Sequence, residues 1–352
     1  MKIAQVPGDQ IPFSPKLINS PYSISMISYL LTEELVKRSH EVTAFVPSDS
    51  KTSAKIAPCW ISSTDPRFKK YKFASKERYE LFKKYCQNVI SQSNNFDIIH
   101  IHDLFLGTLK FLKNIETPVV ATFHNPRFYK KDKKFSDFMF VGISQKQIDN
   151  NPGFNFIGKV YNGILIEKFS FNEKPKDYLF WMGRISPEKG PLEAIKVANR
   201  IKKKLILAGP LTPHHKSYQK KVLREARKSK YVEYTGVVKN FKEKINLYKN
   251  ALCFLSPLKW EEPFGLTMIE AMACGTPVVA FNRGSAPELI KDGQTGFIVK
   301  NTKEMASAVE KIKNLDRKNC RKWVEKNFTV EKMAEGYEKI YEKVIRKWKR
   351  KI

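Results

Sequence analysis

No apolar run in these 352 residues approaches the roughly 18 needed to cross a bilayer. The opening Met1–Gly8 stretch is interrupted too early, by Pro7 and Gly8, to read as a secretory signal. Cysteine is scarce: Cys59, Cys86, Cys253, Cys274 and Cys320 are odd in number and nowhere spaced C-x-x-C. That argues against a disulfide framework or structural zinc and predicts reducing, cytoplasmic surroundings. Acidic residues are few beside basic ones, 35 against 64, for a net charge of +29. The excess is +9 over residues 1–170 (24 − 15) and +20 over 171–352 (40 − 20). Such a field would draw the chain to an anionic membrane surface, nucleic acid or acidic glycans, although lysines spread along the whole chain also suit a solvated surface. Aromatic-interleaved basic repeats and a recognisable DNA-binding module are both missing, so no nucleic-acid partner is expected, and a DNA-modifying or nucleic-acid-binding protein stays only as a further alternative that the charge of +29 raises.

What is present is a repeated alternation of strands and helices. Lys2–Val6, a helical pattern from Ile24 to Lys37 and Glu41–Val46 open a β-loop-α-β series, with residues 51–75 reading as polar and irregular. Phe96–His102 and Thr117–His124 are apolar strands that end in histidine. Open α/β sheets bind ligands beyond the carboxyl ends of their strands, which makes His102, its neighbour Asp103 and His124 candidates. His100 and His102 could instead be satisfied strand-end histidines; a metal site would need further ligands that the sequence does not supply. The alternation restarts at Tyr178. The expected architecture is α/β, two Rossmann-like doubly wound domains with an interdomain cleft: residues 1–168, residues 169–329, and a last helix over about 330–352 returning to the first domain. That helix carries Met333, Tyr337, Ile340, Tyr341, Val344 and Ile345 on one side. Its end, Lys343 to Lys351, is basic around Trp348, and reads as a membrane-surface foot or as an exposed terminus favourable to the helix dipole.

The densest stretch is Trp260 to Pro277. Pro263 suits a first-turn position; Leu266, Ile269, Met272 and Ala273 follow at helical spacing; Gly275 stops the helix, and Pro277–Phe281 reads as a buried strand. A helix start leaves backbone N–H groups unpaired and carries partial positive charge, so Phe264-Gly265-Leu266 can receive an anion. Glu262 and Glu270 either flank one ligand there or are simply solvated. In Gly183–Gly190, Arg184 offers a fork of donors and Lys189 a point charge, suited to a pyrophosphate but also ordinary in a surface turn.

Glu262-Pro263-Phe264-Gly265 leading to Glu270-Ala271-Met272-Ala273-Cys274-Gly275-Thr276-Pro277-Val278 closely resembles the E-x7-E signature of retaining, nucleotide-sugar-dependent glycosyltransferases of family 4. Gly183-Arg184-Ile185-Ser186-Pro187-Glu188-Lys189-Gly190 is similar to that family's diphosphate-binding loop, Thr122-Phe123-His124-Asn125 to its histidine loop, Gly236-Val237-Val238 to its base-contacting loop, and Tyr161-Asn162-Gly163-Ile164 to the turn before its interdomain linker. The resemblance implies the GT-B fold and transfer of a hexose from a UDP- or GDP-linked donor to a glycan, lipid or small molecule. It implies retention of configuration, no metal and no cofactor beyond the donor. It would have Arg184 and Lys189, with the helix start at Phe264, Gly265 and Leu266, meet the diphosphate. Glu262 would hold hexose hydroxyls, Glu270 the ribose, His124 the sugar's far side, and Gly183 and Val238 the nucleotide. His102 and Asp103 would lie on the acceptor side. One stretch departs from the family: Ser20-Pro21-Tyr22-Ser23-Ile24-Ser25 stands where a Gly-Gly pair and a glutamate are usual, which leaves a nucleotide-sugar-binding protein without transfer activity as the alternative. Asn282–Glu288 and Asp292–Phe297 match family turns and are read as structural.

Overall fold

Near-continuous apolar runs such as Ile98–Ile101 and Val119–Phe123 are what a parallel sheet covered on both faces demands, and two such sheets form. The structure, a computed structural model, describes residues 1–8, 11–20, 22–60, 62–63, 76–102, 108–127 and 130–350. The chain divides into two compact units, one of residues 1–143, 148–163 and 330–352, the other of residues 144–147 and 164–329.

The first unit runs β1 (Lys2–Val6), α1 (Ser23–Lys37), β2 (Glu41–Pro47), β3 (Lys55–Trp60), α2 (Lys76–Ser91), β4 (Ile98–Ile101), β5 (Val119–Phe123), β6 (Met139–Gly142), α3 (Gln145–Asp149, its first residues assigned to the other unit) and β7 (Phe156–Lys159). Its strands pair in parallel in the order β3-β2-β1-β4-β5-β6-β7. The order reverses between β1 and β4, and there the His102 N–H donates to the Val6 carbonyl (3.0 Å). Residues 55–60, read from sequence as irregular, are instead the edge strand β3, with Lys55 and Ile56 in register beside Thr43 and Ala44. Pro58 is tolerated because an edge strand need not donate to a ladder on its free side.

The second unit runs β8 (Leu179–Met182), α4 (Pro191–Ile201), β9 (Leu205–Ala208), α5 (Lys216–Lys228), β10 (Val232–Gly236), α6 (Phe241–Asn250), β11 (Cys253–Ser256), α7 (Leu266–Ala273), β12 (Val278–Phe281), α8 (Ala286–Leu289), β13 (Gly296–Val299), α9 (Thr302–Lys311) and α10 (Arg317–Asn327). The parallel order is β10-β9-β8-β11-β12-β13, reversing between β8 and β11. Gly296–Val299, part of a stretch read as a turn, is the edge strand β13. Asn162-Gly163 forms no turn; the next residue, Ile164, bridges Thr329 where the chain enters and leaves the second unit.

The last helix, α11 (Val330–Lys349), lies in the first unit with Met333, Tyr337, Tyr341 and Val344 buried. Arg38 grips Glu338 with two bonds (2.9 and 2.7 Å), and the His40 ring reaches the same carboxylate at 2.8 Å. The basic end is tied down as well: Lys343 Nζ donates to the Ile157 carbonyl and Trp348 Nε1 to that of Glu116, both at 2.6 Å. Among the described residues no helix is long and apolar enough to cross a membrane.

Candidate active site

The candidate side chains gather at the two strand-order reversals and on the helix that follows β11. In the second unit, β8 runs into Gly183, whose N–H donates to the Ala208 carbonyl (3.1 Å), and then into the Arg184–Gly190 turn. Gly190 closes that turn at φ +70°, and a Cβ there would stand 2.0 Å from the Pro257 carbonyl oxygen. Only glycine lets this loop lie against the exit of β11. That approach places Lys189 beside the loop leaving β11: its ammonium is ion-paired with Glu262 Oε2 and lies 4.9 Å from the Trp260 ring centroid. Trp260 Nε1 donates to the same Oε2 (2.7 Å), and Trp181 Nε1 donates to the Lys189 carbonyl (3.1 Å). Arg184 is freer, its side chain 56 % exposed with Nη2 3.7 Å from Glu188. Burial would raise the Glu188 carboxyl, but the Ser186 hydroxyl (2.6 Å), a backbone N–H and the Arg184 charge bring it below the usual range.

Helix α7 begins at Leu266 with Gly265 as its N-cap at φ +98°. Pro263 therefore precedes the helix rather than occupying its first turn, because the left-handed Gly265 turns the chain before helical geometry begins. Phe264 is buried edge-to-face on Phe328 (6.1 Å). Asn282–Ser285, read as a structural turn, braces this loop: the Gly284 N–H donates to Glu261 (2.9 Å), the Ser285 N–H to the Glu262 carbonyl (3.0 Å), and the Ser285 hydroxyl to the Phe264 carbonyl.

Glu270, on α7, is 6 % exposed. Lys244 Nζ donates to its Oε1 (2.7 Å) and the Tyr248 hydroxyl to its Oε2 (3.1 Å). A carboxylate has about four lone-pair sites, so two remain for a ligand. Lys244 and Tyr248, one turn apart on α6, are site residues that the motifs do not mark; the signal available in the sequence is a lysine and a tyrosine at i, i+4 on one helix. Glu262 and Glu270 thus belong to separate pairs. Val238 is half-buried just before α6, whose Asn240 cap accepts from the Glu243 N–H (2.9 Å).

In the first unit, the ends of β4 and β5 bring His102 and His124 together, with His102 Nδ1 3.3 Å from His124 Nε2. His102 Nε2 is 3.1 Å from Gln5 Oε1, and Gln5 Nε2 donates to the Tyr341 hydroxyl (3.2 Å). His100 Nδ1 lies 2.7 Å from that hydroxyl and Nε2 2.7 Å from Thr122 Oγ1, itself 2.7 Å from the Tyr337 hydroxyl. Every ring nitrogen of His100 and His102 has a protein partner. Burial lowers both rings well below the ordinary histidine value and takes the partly exposed His124 to about 4. Asp103 lies outside the described residues. Tyr337 and Tyr341 belong to the apolar stripe of the last helix, and helical spacing alone does not disclose the bonds of their hydroxyls.

Against known families, residues 164–329 match the model described as "Glycosyl transferases group 1" and residues 25–146 that described as "Glycosyltransferase Family 4". The chain belongs to the group 1, family 4-like glycosyltransferases. Among relatives of this glycosyltransferase, the uncharacterized glycosyltransferase MJ1178 of Methanocaldococcus jannaschii is 25 % identical over 346 residues, 90 % of this chain and 94 % of the relative. A 41.2 kDa protein of the cps region of Klebsiella pneumoniae is 28 % identical over 294 residues, 70 % and 79 %. Of solved structures, sucrose-phosphate synthase from Thermosynechococcus elongatus superposes with a TM-score of 0.73 at 17 % identity, covering 98 % of each chain. HepE from Anabaena, solved with UDP and glucose, gives 0.70 at 17 %, covering 97 % of this chain and all of that one. Identities this low speak to fold, and the fold of the glycosyltransferase is GT-B.

Proposed function

We propose that this glycosyltransferase moves a hexose from a UDP- or GDP-linked donor to a glycan, lipid or small-molecule acceptor, retaining anomeric configuration and using neither metal nor cofactor. In this reaction the bond from the anomeric carbon to the β-phosphate oxygen breaks, and the diphosphate leaves with the electron pair. The acceptor oxygen bonds to the same face of that carbon and passes its proton to the leaving phosphate. Arg184, Lys189 and the N–H groups at Gly265 and Leu266 meet the charge that develops on the diphosphate. Glu262 takes hexose hydroxyls, the two unused lone pairs of Glu270 take the ribose, Gly183 and Val238 border the nucleotide, and His124 takes the sugar's far side, with Asp103 toward the acceptor. His102, expected there too, is buried with both ring nitrogens occupied and stands behind His124. The observation that carries this reading is the Lys189–Glu262 pair beneath Trp260 at the β8–β11 reversal. An ion pair there can rearrange so that the cation faces phosphate while the carboxylate faces hydroxyls. The basic end of α11 favours a meeting with the acceptor at an anionic, cytoplasmic membrane face.

HepE holds UDP and glucose, so UDP-glucose heads the test panel, followed by UDP-N-acetylglucosamine and GDP-mannose. One member is expected to raise Tm and be slowly hydrolysed. Glu270→Ala is expected to lose most of that nucleotide-dependent rise; an unchanged rise would refute the ribose assignment. The second reading, donor binding without transfer, draws on the start of α1, where Tyr22 stands as N-cap with no side-chain cap hydrogen bond and no glycine is present. A donor that binds but is neither transferred nor hydrolysed selects it.

A further inference from the structure

The buried polar groups beneath the β1–β4 reversal form a directed chain. Gln5 donates through Nε2 to the Tyr341 hydroxyl at 3.2 Å, so the amide oxygen is the atom facing His102 Nε2 at 3.1 Å. An oxygen there only accepts, so His102 Nε2 carries the hydrogen. A neutral His102 then has a bare Nδ1, and the nitrogen 3.3 Å from it, His124 Nε2, must be the donor. That leaves Nδ1 of His124 as a bare acceptor, and among the described residues nothing donates to it. The other branch agrees: Tyr341, having accepted from Gln5, donates to His100 Nδ1, His100 Nε2–H donates to Thr122, and Thr122 donates to Tyr337. Gln5, His100, His102, Thr122, Tyr337 and Tyr341 are each fully buried, so no water competes to scramble the order.

We infer that His102 is a positioning residue which, with Gln5 and the α11 residue Tyr341 behind it, locks His124 in its Nε2–H tautomer and presents Nδ1 as an acceptor for a sugar hydroxyl. This rests on the reading above, in which His124 faces the donor sugar. Burial keeps the three rings uncharged near neutral pH, so tautomer rather than charge is the property set. The reverse arrangement, with Gln5 turned over, would give His124 the opposite tautomer; the two are distinguishable by spectroscopy.

The test is long-range ¹H–¹⁵N NMR on the full chain labelled at histidine, with resonances assigned through single substitutions at the six histidines. The expected result is an unprotonated Nδ1 and a protonated Nε2 for His124. In His102→Leu the His124 signals should move to a mixture of tautomers, and His102→Gln, whose amide oxygen can accept from Nε2–H, should restore the single form. Tyr341→Phe should produce a smaller shift in the same direction. A His124 that is protonated on Nδ1 in the unaltered protein, or unchanged in His102→Leu, overturns the inference. Hydrolysis of UDP-glucose, or of UDP-N-acetylglucosamine or GDP-mannose if turned over faster, should fall about tenfold in kcat in His102→Leu with KM little changed, the equivalent of ~1.4 kcal/mol. A loss confined to KM counts against it. If instead His124→Ala hydrolyses the donor normally while the NMR result holds, the sugar-facing reading of His124 has failed and the tautomer lock stands.

Discussion

The two sheets solve the same topological problem and furnish the result differently. At the β1–β4 reversal the groups facing the strand ends are neutral, buried and joined donor to acceptor: amide, imidazoles, hydroxyls. At the β8–β11 reversal and on α7 they are ions held in pairs, Lys189 with Glu262 and Lys244 with Glu270. A neutral network fixes orientation and tautomer but cannot compensate a charge that appears during reaction. An ion pair can, since its cation has an alternative partner once an anion arrives. Topology supplies the position; the residues decide whether it suits hydroxyls or phosphates.

The contrast breaks most severely at Lys189. Lys189→Ala leaves Glu262 with only the Trp260 N–H and turns a balanced site into one that repels diphosphate. Donor hydrolysis or transfer is expected to fall by about 10² to 10³, whereas His102→Leu costs about tenfold. Equal losses in the two would remove the distinction between the regions. Glu262→Gln sharpens it in the opposite direction: freed of its counter-charge, Lys189 should bind free UDP about tenfold more tightly, while turnover of UDP-sugar drops because a hexose contact is gone. Calorimetric titration with UDP measures the first effect, and weaker UDP binding would show that Lys189 is not directed at phosphate.

Much of this was legible because local chemistry announces itself. Gly275 stops α7 as its position announces, and the apolar blocks give the strands of both sheet centres. The missed pieces depend on partners distant in sequence. Lys55–Trp60 is short, lies in a largely polar stretch and is interrupted by Pro58, and the pairing with β2 that makes it a strand is not written in its own residues. Pro263 suits a first helical turn by residue type yet precedes α7, because nothing in the sequence says that Gly265 adopts φ +98°. Tyr337 and Tyr341 carried the correct helical stripe, yet their hydroxyls answer residues more than 200 positions away. Periodicity reports which face is buried; it does not report what a buried hydroxyl bonds to.

The smallest effect concerns how the neutral region is anchored. Glu338 on α11 is held to about pH 2 mainly by its bonds with Arg38, against a contribution from burial that would raise it, with His40 adding to the lowering. A carboxyl depressed in the folded state contributes stability in full above its unfolded value, near 4.5, and loses it as pH falls through the folded value. Glu338→Gln should therefore cost about 2 kcal/mol at pH 7, allowing for solvent at a partly exposed pair, and the gap to the unaltered protein should close between pH 4.5 and about 2. The buried histidines act in an earlier window. With pKa values lowered on folding, they take no protons that the unfolded chain takes, so stability falls as pH drops from about 6.5 toward the value near 4 at His124. Denaturant titrations at pH 7, 5 and 3 separate the two. The unaltered protein and Glu338→Gln should weaken in parallel from pH 7 to 5, and the gap between them should be narrower, but still open, at pH 3. Convergence already complete at pH 5 would mean that Glu338 is not held below its unfolded value and that the Arg38–Glu338 clasp contributes little to holding α11.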